Sequence, residues 1–193
     1  MRHFHLILAV TISLLPFTTV QAAPADLPET GQTTCTDATG VVIACAGTGQ
    51  DGEHRAGVAW PNPRFSVDNT GNCMTDNLTG LMWLRSPDAT ARTWQQALDF
   101  ANNLELCGST DWRLPNVNEL ESLVTSEVSD QASFLNGQGF SGVQADSYWS
   151  STIYAGFSSS SYPLVWIVAM ADGAMGPILR SESHFVLPVR AGQ

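Results

Sequence analysis

The sequence predicts an α+β fold with an antiparallel sheet. Two helix patterns lie in the middle of the chain, and the last third is rich in β-branched and aromatic residues typical of strands. Helices followed by a run of strands, without regular alternation, favour α+β over α/β. A change in composition near residue 64 separates this patterned region from an arm rich in Thr, Gly, Ala and Pro.

Each predicted helix begins at a capping box. Thr93 and Gln96 form the first box, and Asn116 with Glu119 forms the second, so that side chains satisfy the free N–H groups of the first turn. Apolar residues follow both boxes at helical spacing. The pair Cys107-Gly108 is predicted to close the first helix, because glycine suits a left-handed cap.

Short strand patterns flank the two helices. Clusters of Asn, Asp, Thr and Gly separate these patterns and are typical of turns, and Asp172-Gly173 predicts a hairpin turn. Pro188 makes part of the last pattern an edge, because proline donates no ladder hydrogen bond. The predicted strands are Phe65–Val67, Leu81–Leu84, 148–152, 164–170 and 185–190.

The N-terminus carries an export signal. One arginine precedes an apolar run that ends in Val20-Gln21-Ala22, a small-x-small pattern accepted by signal peptidase. We therefore predict a signal peptide over residues 1–22, a disulfide-tethered arm over 23–63 and a domain over 64–193. A membrane anchor is the alternative, but the apolar run is shorter than the ~20 residues needed to span a bilayer. No integral membrane segment is expected after signal removal.

Four cysteines follow the predicted cleavage point: Cys35, Cys45, Cys73 and Cys107. They allow three pairings, and their spacing lacks the C-x2-C pairs of a zinc ribbon. We favour Cys35–Cys45 as a short local loop and Cys73–Cys107 as a longer one, with a free reactive thiol as the alternative. Structural disulfides agree with an exported protein.

The charge of the chain restricts its partners. Without Arg2, seven arginines and no lysine face eighteen acidic residues. This balance argues against nucleic acid, acidic membranes and sulfated polysaccharides held by a basic patch. Turn residues between Asp68 and Asn77 offer oxygen ligands for calcium, but they do not follow the EF-hand order, so that turns are the favoured interpretation and no cofactor or metal is predicted.

Catalytic patterns are few. Only His54 and His184 remain after signal removal, and the chain contains neither a His-Glu-x-x-His string nor a nucleophile elbow. Serine hydroxyls are plentiful but have no adjacent general base. We therefore expect the protein not to be an enzyme.

Five ordered strings carry a resemblance to a known family. Together they resemble the bacterial domain family named after the C-terminal region of the Legionella collagen-like adhesin, over residues 64–190. The strings are TDNLTGLMW at 75–83, TWQQAL at 93–98, DWRLPN at 111–116, YWSST at 148–152 and PVR at 188–190.

The resemblance implies a C-type-lectin-like fold, with two helices packed on a small antiparallel sheet and long loops. For the namesake adhesin it implies surface attachment through sulfated glycans. Only part of this transfers, because the present chain is strongly acidic and lacks a collagen-like stalk. It also lacks the Glu-Pro-Asn, Gln-Pro-Asp and Trp-Asn-Asp strings with which C-type lectins hold calcium and sugar.

We therefore expect a periplasmic, secreted or cell-surface binding module that recognises a glycan or a surface protein. A structural or assembly component of the envelope, acting through protein contacts, is the alternative. Recognition is predicted on the loops 126–147 and 156–162, which carry the least core pattern. The candidate ligand-binding residues are Trp149, Phe157, Tyr162 and Arg113, although pairing of Arg113 with an internal carboxylate is the favoured interpretation.

Overall fold

The computed structural model describes residues 27–156 and 163–192, so that the predicted signal peptide lies outside the described residues. The described strands are β1 (Cys35–Thr36), β2 (Val42–Ile43), β3 (Phe65–Val67), β4 (Cys73–Asp76), β5 (Leu81–Leu84), β6 (Ser147–Ile153), β7 (Leu164–Ala169), β8 (Met175–Leu179) and β9 (Val189–Ala191). The described helices are α1 (Asp51–His54), α2 (Trp94–Asn102), α3 (Val117–Glu121) and α4 (Gln131–Gly137).

The strands form three separate sheets, and every pairing between named strands is antiparallel. One sheet is the hairpin β1-β2, the second has the order β3-β4-β5-β9, and the third has the order β6-β7-β8. This confirms the α+β class and is compatible with the lectin-like class implied by the resemblance. Between the second and third sheets, the chain before β9 pairs with β6 only at the isolated bridge from Phe185 to Tyr148, and it then joins β5.

The predicted strands are largely confirmed. The patterns that predicted β3 and β5 match their bounds, and those for β6 and β7 agree to within one residue. The turn at Asp172-Gly173 joins β7 to β8, and the amide of Gly173 donates to the carbonyl of Ala169 at 2.8 Å. The closing strand is shorter than predicted: β9 begins at Val189 and lies at the edge of its sheet.

Both capping boxes are present, at Thr93 before α2 and at Asn116 before α3. The end of α2 differs from the prediction, because this helix stops at Asn102. Cys107 and Gly108 instead have positive φ values, 51° and 72°, and form a tight turn that pairs Leu106 with Ser109. Two further helices, α1 and α4, were not predicted.

The core consists of two clusters of buried side chains, one on each side of β6. Tyr148 belongs to the larger cluster, which also contains Trp83 and Trp112. The next residue, Trp149, points to the opposite face and packs with Ala97 in the smaller cluster. Because successive side chains of a strand alternate, β6 is buried on both faces.

Both predicted disulfides are present. Cys35–Cys45 closes the β1-β2 hairpin within the arm, and Cys73–Cys107 links β4 to the turn after α2. The second bridge therefore fastens the turn rather than the helix itself. None of the helices described in the structure is long and apolar enough to cross a membrane.

Candidate binding site

Trp149 does not form a ligand-binding surface, which corrects the prediction. Its side chain is fully buried, its indole N–H donates to the carbonyl of Arg92 at 2.7 Å, and its ring meets His184 edge-on at 4.9 Å. The YWSST string did not predict this burial. A strand covered on both faces does not alternate between apolar and polar residues, so that its sequence does not show which side chains are buried. The indole serves the smaller core cluster.

Phe157 and Tyr162, the other predicted aromatic contacts, lie outside the described residues. Next to them in the chain, the ring of Tyr154 meets that of Trp166 edge-on at 5.3 Å. Both rings are half-buried, in contrast to Trp149. The prediction that Phe157 and Tyr162 bind a ligand stays a prediction.

Arg113 forms a two-pronged ion pair with Glu119, at 2.7 and 2.6 Å. Burial alone would raise the pKa of Glu119, but hydrogen bonds from Arg113 and from the amide of Asn116 outweigh it and hold that pKa below its ordinary value. The same carboxylate thus completes the capping box of α3. The pairing of Arg113 with an internal carboxylate is confirmed. Because 43% of the arginine side chain is exposed, it can still reach a ligand, and direct ligand contact stays a prediction.

The predicted recognition loop at 126–147 is largely structured. It contains α4, whose N-cap Asp130 accepts from the amide of Ser133, and it places Leu135, Phe140 and Val143 in the larger core cluster. The apolar residues of α4 are too few to form a stripe at helical spacing, so that the sequence of this segment is typical of a loop. The packed residues of this segment serve the core, and recognition through its exposed residues stays a prediction.

The Asx residues considered for calcium form turns. The carboxylate of Asp68 accepts from the amides of Thr70, Asn72 and Cys73, at 3.2, 3.1 and 2.9 Å. Asp76 is fully buried and forms an ion pair with Arg64 at 3.3 Å. The contacts of Asp68 are those of an Asx turn, and Asp76 likewise accepts from the amide of Leu78, two positions on, at 3.0 Å.

The arm, residues 27–63, docks on the domain through polar contacts. The amide of Ser126 in the domain donates to the carbonyl of Thr30 at 3.0 Å, and within the arm the indole N–H of Trp60 donates to the carbonyl of Glu29 at 2.8 Å. Gly31 permits the close approach of arm and domain, because a Cβ at this position would lie 2.6 Å from the hydroxyl of Thr125. The arm is thus attached by backbone groups together with a few side chains, such as Trp60, whose ring centroid lies 6.2 Å from that of Phe134.

Glu127 is the strongest single attachment of the arm. Its carboxylate accepts from the amide and the hydroxyl of Thr33, at 2.7 and 2.8 Å. It also accepts from the amide and the hydroxyl of Thr34, at 3.2 and 3.4 Å. The amide of Thr33 is the main reason why the pKa of Glu127 lies below its ordinary value.

A cleft of about 530 Å³ lies between the docked arm and the domain. Its volume is in the range of small-molecule sites, roughly 300–1,000 Å³. The arm supplies one wall, including Leu27 and Trp60, and α3 with the chain after it supplies the other, including Asn118, Glu121 and Ser126. We call this hollow the arm cleft. No sequence pattern predicts this cleft, because its walls are distant in the chain and share no motif.

Comparison with known proteins identifies the domain. The family model of the Lcl C-terminal domain matches residues 72–190, which is more than half of the chain. The chain belongs to the Lcl C-terminal domain family. This confirms the resemblance given by the five sequence strings.

Other comparisons add little to this assignment. No curated protein sequence matches the chain. Among solved structures, it is similar to a chain of "The von Willebrand Factor mutant (I546V) A1 domain-botrocetin Complex", with 10% identity and a TM-score of 0.39, over 67% of this chain and 98% of that chain.

Membership of the Lcl C-terminal domain family indicates an adhesin-like binding domain, which fits a protein that is not an enzyme. Together with two disulfides, it indicates an extracellular or surface protein. The matched residues include the α3 wall of the arm cleft, whereas the arm wall precedes residue 72. The family match therefore covers the α3 wall together with Leu78 and Thr79, but not the residues of the arm.

Proposed function

We propose that the protein is an exported, non-catalytic binding module that recognises a glycan in the arm cleft. The cleft is the observation that carries the proposal, because it combines apolar and polar walls at the surface of an adhesin-like domain. A sugar ring has an apolar face and hydroxyl edges, and sites for small ligands pair mostly apolar surface with a few convergent polar groups. Of the loops first predicted, only the start of 126–147 reaches this cleft, through Ser126.

Export through the signal peptide at residues 1–22 is part of this proposal. Two disulfides and a net charge of −10 suit an oxidising compartment and an exposed surface. The destination is the periplasm, the medium or the cell surface. Fractionation of cells that express the full chain, with N-terminal sequencing of the product, tests both the cleavage after Ala22 and the destination.

The absence of catalysis is also proposed. His54 is exposed on α1, whereas His184 is packed against Trp149, so that the two histidines serve different parts of the chain. Ser150, within the YWSST string, donates its hydroxyl to the carbonyl of Trp166 at 2.6 Å. This hydroxyl therefore links β6 to β7.

A glycan array with the chain from residue 23 onward tests the binding function. Asn118→Trp should abolish binding, because an indole at this position would fill the arm cleft. Asn102→Trp is the matched control, since Asn102 is also an exposed helical asparagine but does not line the cleft. Absence of sugar binding by the wild-type protein, or full binding by Asn118→Trp, would refute the proposal.

A structural role in the envelope, through protein contacts, is the second candidate, and the β1-β2 hairpin favours it. The side-chain amide of Gln50 covers the outer edge of β1, where it bonds both the N–H and the carbonyl of Thr36, at 3.0 and 2.8 Å. The outer edge of β2 has no strand partner among the described residues, and Val42 is 68% exposed. Such an edge can accept a strand from another protein.

A photo-crosslinker tests this candidate in intact cells. Capture of one envelope protein from position 42, but not from position 36, would favour assembly through the open edge. Sugar binding that depends on Asn118, without such a crosslink, would favour the binding module.

A further inference from the structure

The polar groups that remain available in the arm cleft lie on the α3 wall. Asn118 and Glu121 are separated by three positions, so that they project from the same face of the helix, and both side chains are exposed. Neither forms a side-chain hydrogen bond with another described residue, and the same holds for the hydroxyl of Ser126. An amide, a carboxylate and a hydroxyl thus face the cleft with unused hydrogen-bonding capacity.

The polar groups of the opposite side are already engaged. The hydroxyl of Thr30 donates to Asp51, and that of Thr79 donates to Asp76 at 3.0 Å. What this side presents to the cleft is mainly apolar surface, from Leu27, which is 70% exposed, and from Leu78. The cleft is therefore polar on one wall and apolar on the other.

The charge of the cleft is negative. Glu29 and Glu121 line it, and none of the described lining residues is basic. The charge of Glu29 is compensated by Arg55 at 3.0 Å, whereas Glu121 has no cationic partner among the described residues. A ligand carboxylate or sulfate next to Glu121 would meet a like charge without a counter-ion, which disfavours binding.

We infer that the arm cleft selects neutral, hydroxyl-rich sugars and rejects sugars that carry a carboxylate or a sulfate. This inference rests on the proposed binding function and names its ligand class. The carboxylate of Glu121 accepts hydrogen bonds from sugar hydroxyls, and the amide of Asn118 both donates and accepts. The apolar face of the ring packs on the wall of Leu27 and Leu78.

The size of the site favours an oligosaccharide over a single ring. A second hollow of about 330 Å³ adjoins the cleft and shares Pro28, Leu78 and Thr79 with it. Val58 extends its apolar lining away from α3. A ligand that binds Glu121 with one ring can thus place its next ring against Pro28 and Val58.

The test compares neutral oligosaccharides of glucose, galactose, mannose and N-acetylglucosamine with oligosaccharides that carry glucuronate or galacturonate. Binding of the chain from residue 23 onward is measured on an array, and each hit is measured again by calorimetry. Wild-type protein should bind a neutral compound at least about tenfold more tightly than its uronate counterpart, the size of one unfavourable charged contact. Glu121→Gln should reduce this preference about fivefold or more, because the glutamine keeps the shape and removes the charge.

Glu105→Gln is the matched control, since Glu105 is exposed but does not line the cleft; it should leave the preference unchanged. Asn118→Ala should weaken binding of the neutral ligand about tenfold, as expected for hydrogen bonds lost from a site. Preferential binding of uronates, or binding that neither Glu121→Gln nor Asn118→Ala alters, would overturn the inference and leave a sugar-binding function standing. If no sugar binds at all, the proposed function itself is refuted.

Discussion

Docking of the arm should depend on Glu127, and Glu127→Ala is the change that tests this. The variant removes the acceptor of four hydrogen bonds from Thr33 and Thr34, while the covalent path of the chain is unaffected. The remaining contacts, such as that between the amide of Ser126 and the carbonyl of Thr30, still hold the arm. We therefore expect local opening of the arm rather than loss of the fold.

The size of the effect follows from the two shorter bonds, at 2.7 and 2.8 Å to Thr33. A hydrogen bond to a charged group contributes roughly 1.5–3 kcal/mol to stability, and less near the surface. We therefore assign about 1 kcal/mol to each of the two bonds to Thr33. The bonds to Thr34 are longer and add little. A total of about 2 kcal/mol corresponds to an increase of about 30-fold in the population of the open arm.

Hydrogen exchange at the amides of Thr33 and Thr34 is the assay, measured by NMR and corrected for intrinsic exchange rates. Protection of both amides should fall about 30-fold in Glu127→Ala, whereas protection in β7 should not change. Glu105→Gln, a substitution of an exposed glutamate elsewhere, should leave all these amides unaffected. Protection of Thr33 and Thr34 that stays within a factor of two of the wild-type value would refute the reasoning.

The same attachment predicts a dependence on pH. The pKa of Glu127 is lowered in the folded protein, chiefly by the amide of Thr33. The stabilising contribution of the carboxylate is thus fully present above its ordinary pKa, about 4.3, and is lost as the pH falls through the lower folded value. Hydrogen-exchange protection of the amides of Thr33 and Thr34 should therefore decrease in that acidic range in the wild-type protein. The Glu127→Ala variant should not show this decrease.

Three further predictions concern the scaffold. Trp149→Phe should lower the free energy of unfolding by about 2–4 kcal/mol in urea, because it creates a void and removes a buried hydrogen bond; a loss below 1 kcal/mol would contradict the buried position. Asp76→Asn should cost about 3–5 kcal/mol, since it leaves the buried Arg64 without its counter-ion, and an unchanged midpoint would contradict this. Replacing both Cys73 and Cys107 by alanine should cost about 4 kcal/mol for their separation of 34 residues, and a peptide map of the oxidised wild-type protein that pairs either cysteine differently would refute the assignment.

Elements with a local chemical cause could be predicted from the sequence. The helix starts at Thr93 and Asn116 follow from capping boxes, which depend only on residues three positions apart. The turn at Gly173 follows in the same way from the positive φ, 80°, that glycine accepts. The helix α4 was missed because it is short and its cap, Asp130, is a signal that loops share.

Features that depend on distant parts of the chain could not be predicted. Trp149 and Tyr148 are neighbours in a strand pattern, and only the tertiary packing decides that both faces of β6 are covered. The arm cleft is a stronger case, because residues near 30, 80 and 120 must meet to form it. The contact between Glu127 and Thr33 spans 94 positions and involves the backbone, which leaves no pattern in the sequence.

The position of the arm cleft at the border of the matched family region has a consequence for specificity. The matched residues 72–190 contain Asn118, Glu121 and the scaffold that holds α3, whereas Leu27 and Trp60 come from the arm. The polar wall, which meets the hydroxyls of a sugar, therefore belongs to the family domain. In the apolar wall, against which the rings would lie, Leu78 also belongs to the matched residues, but Leu27 and Trp60 are brought in by a segment that Glu127 attaches. If recognition requires both walls, the arm contributes to ligand choice as well as to stability, and Glu127→Ala should weaken sugar binding even though Glu127 does not line the cleft.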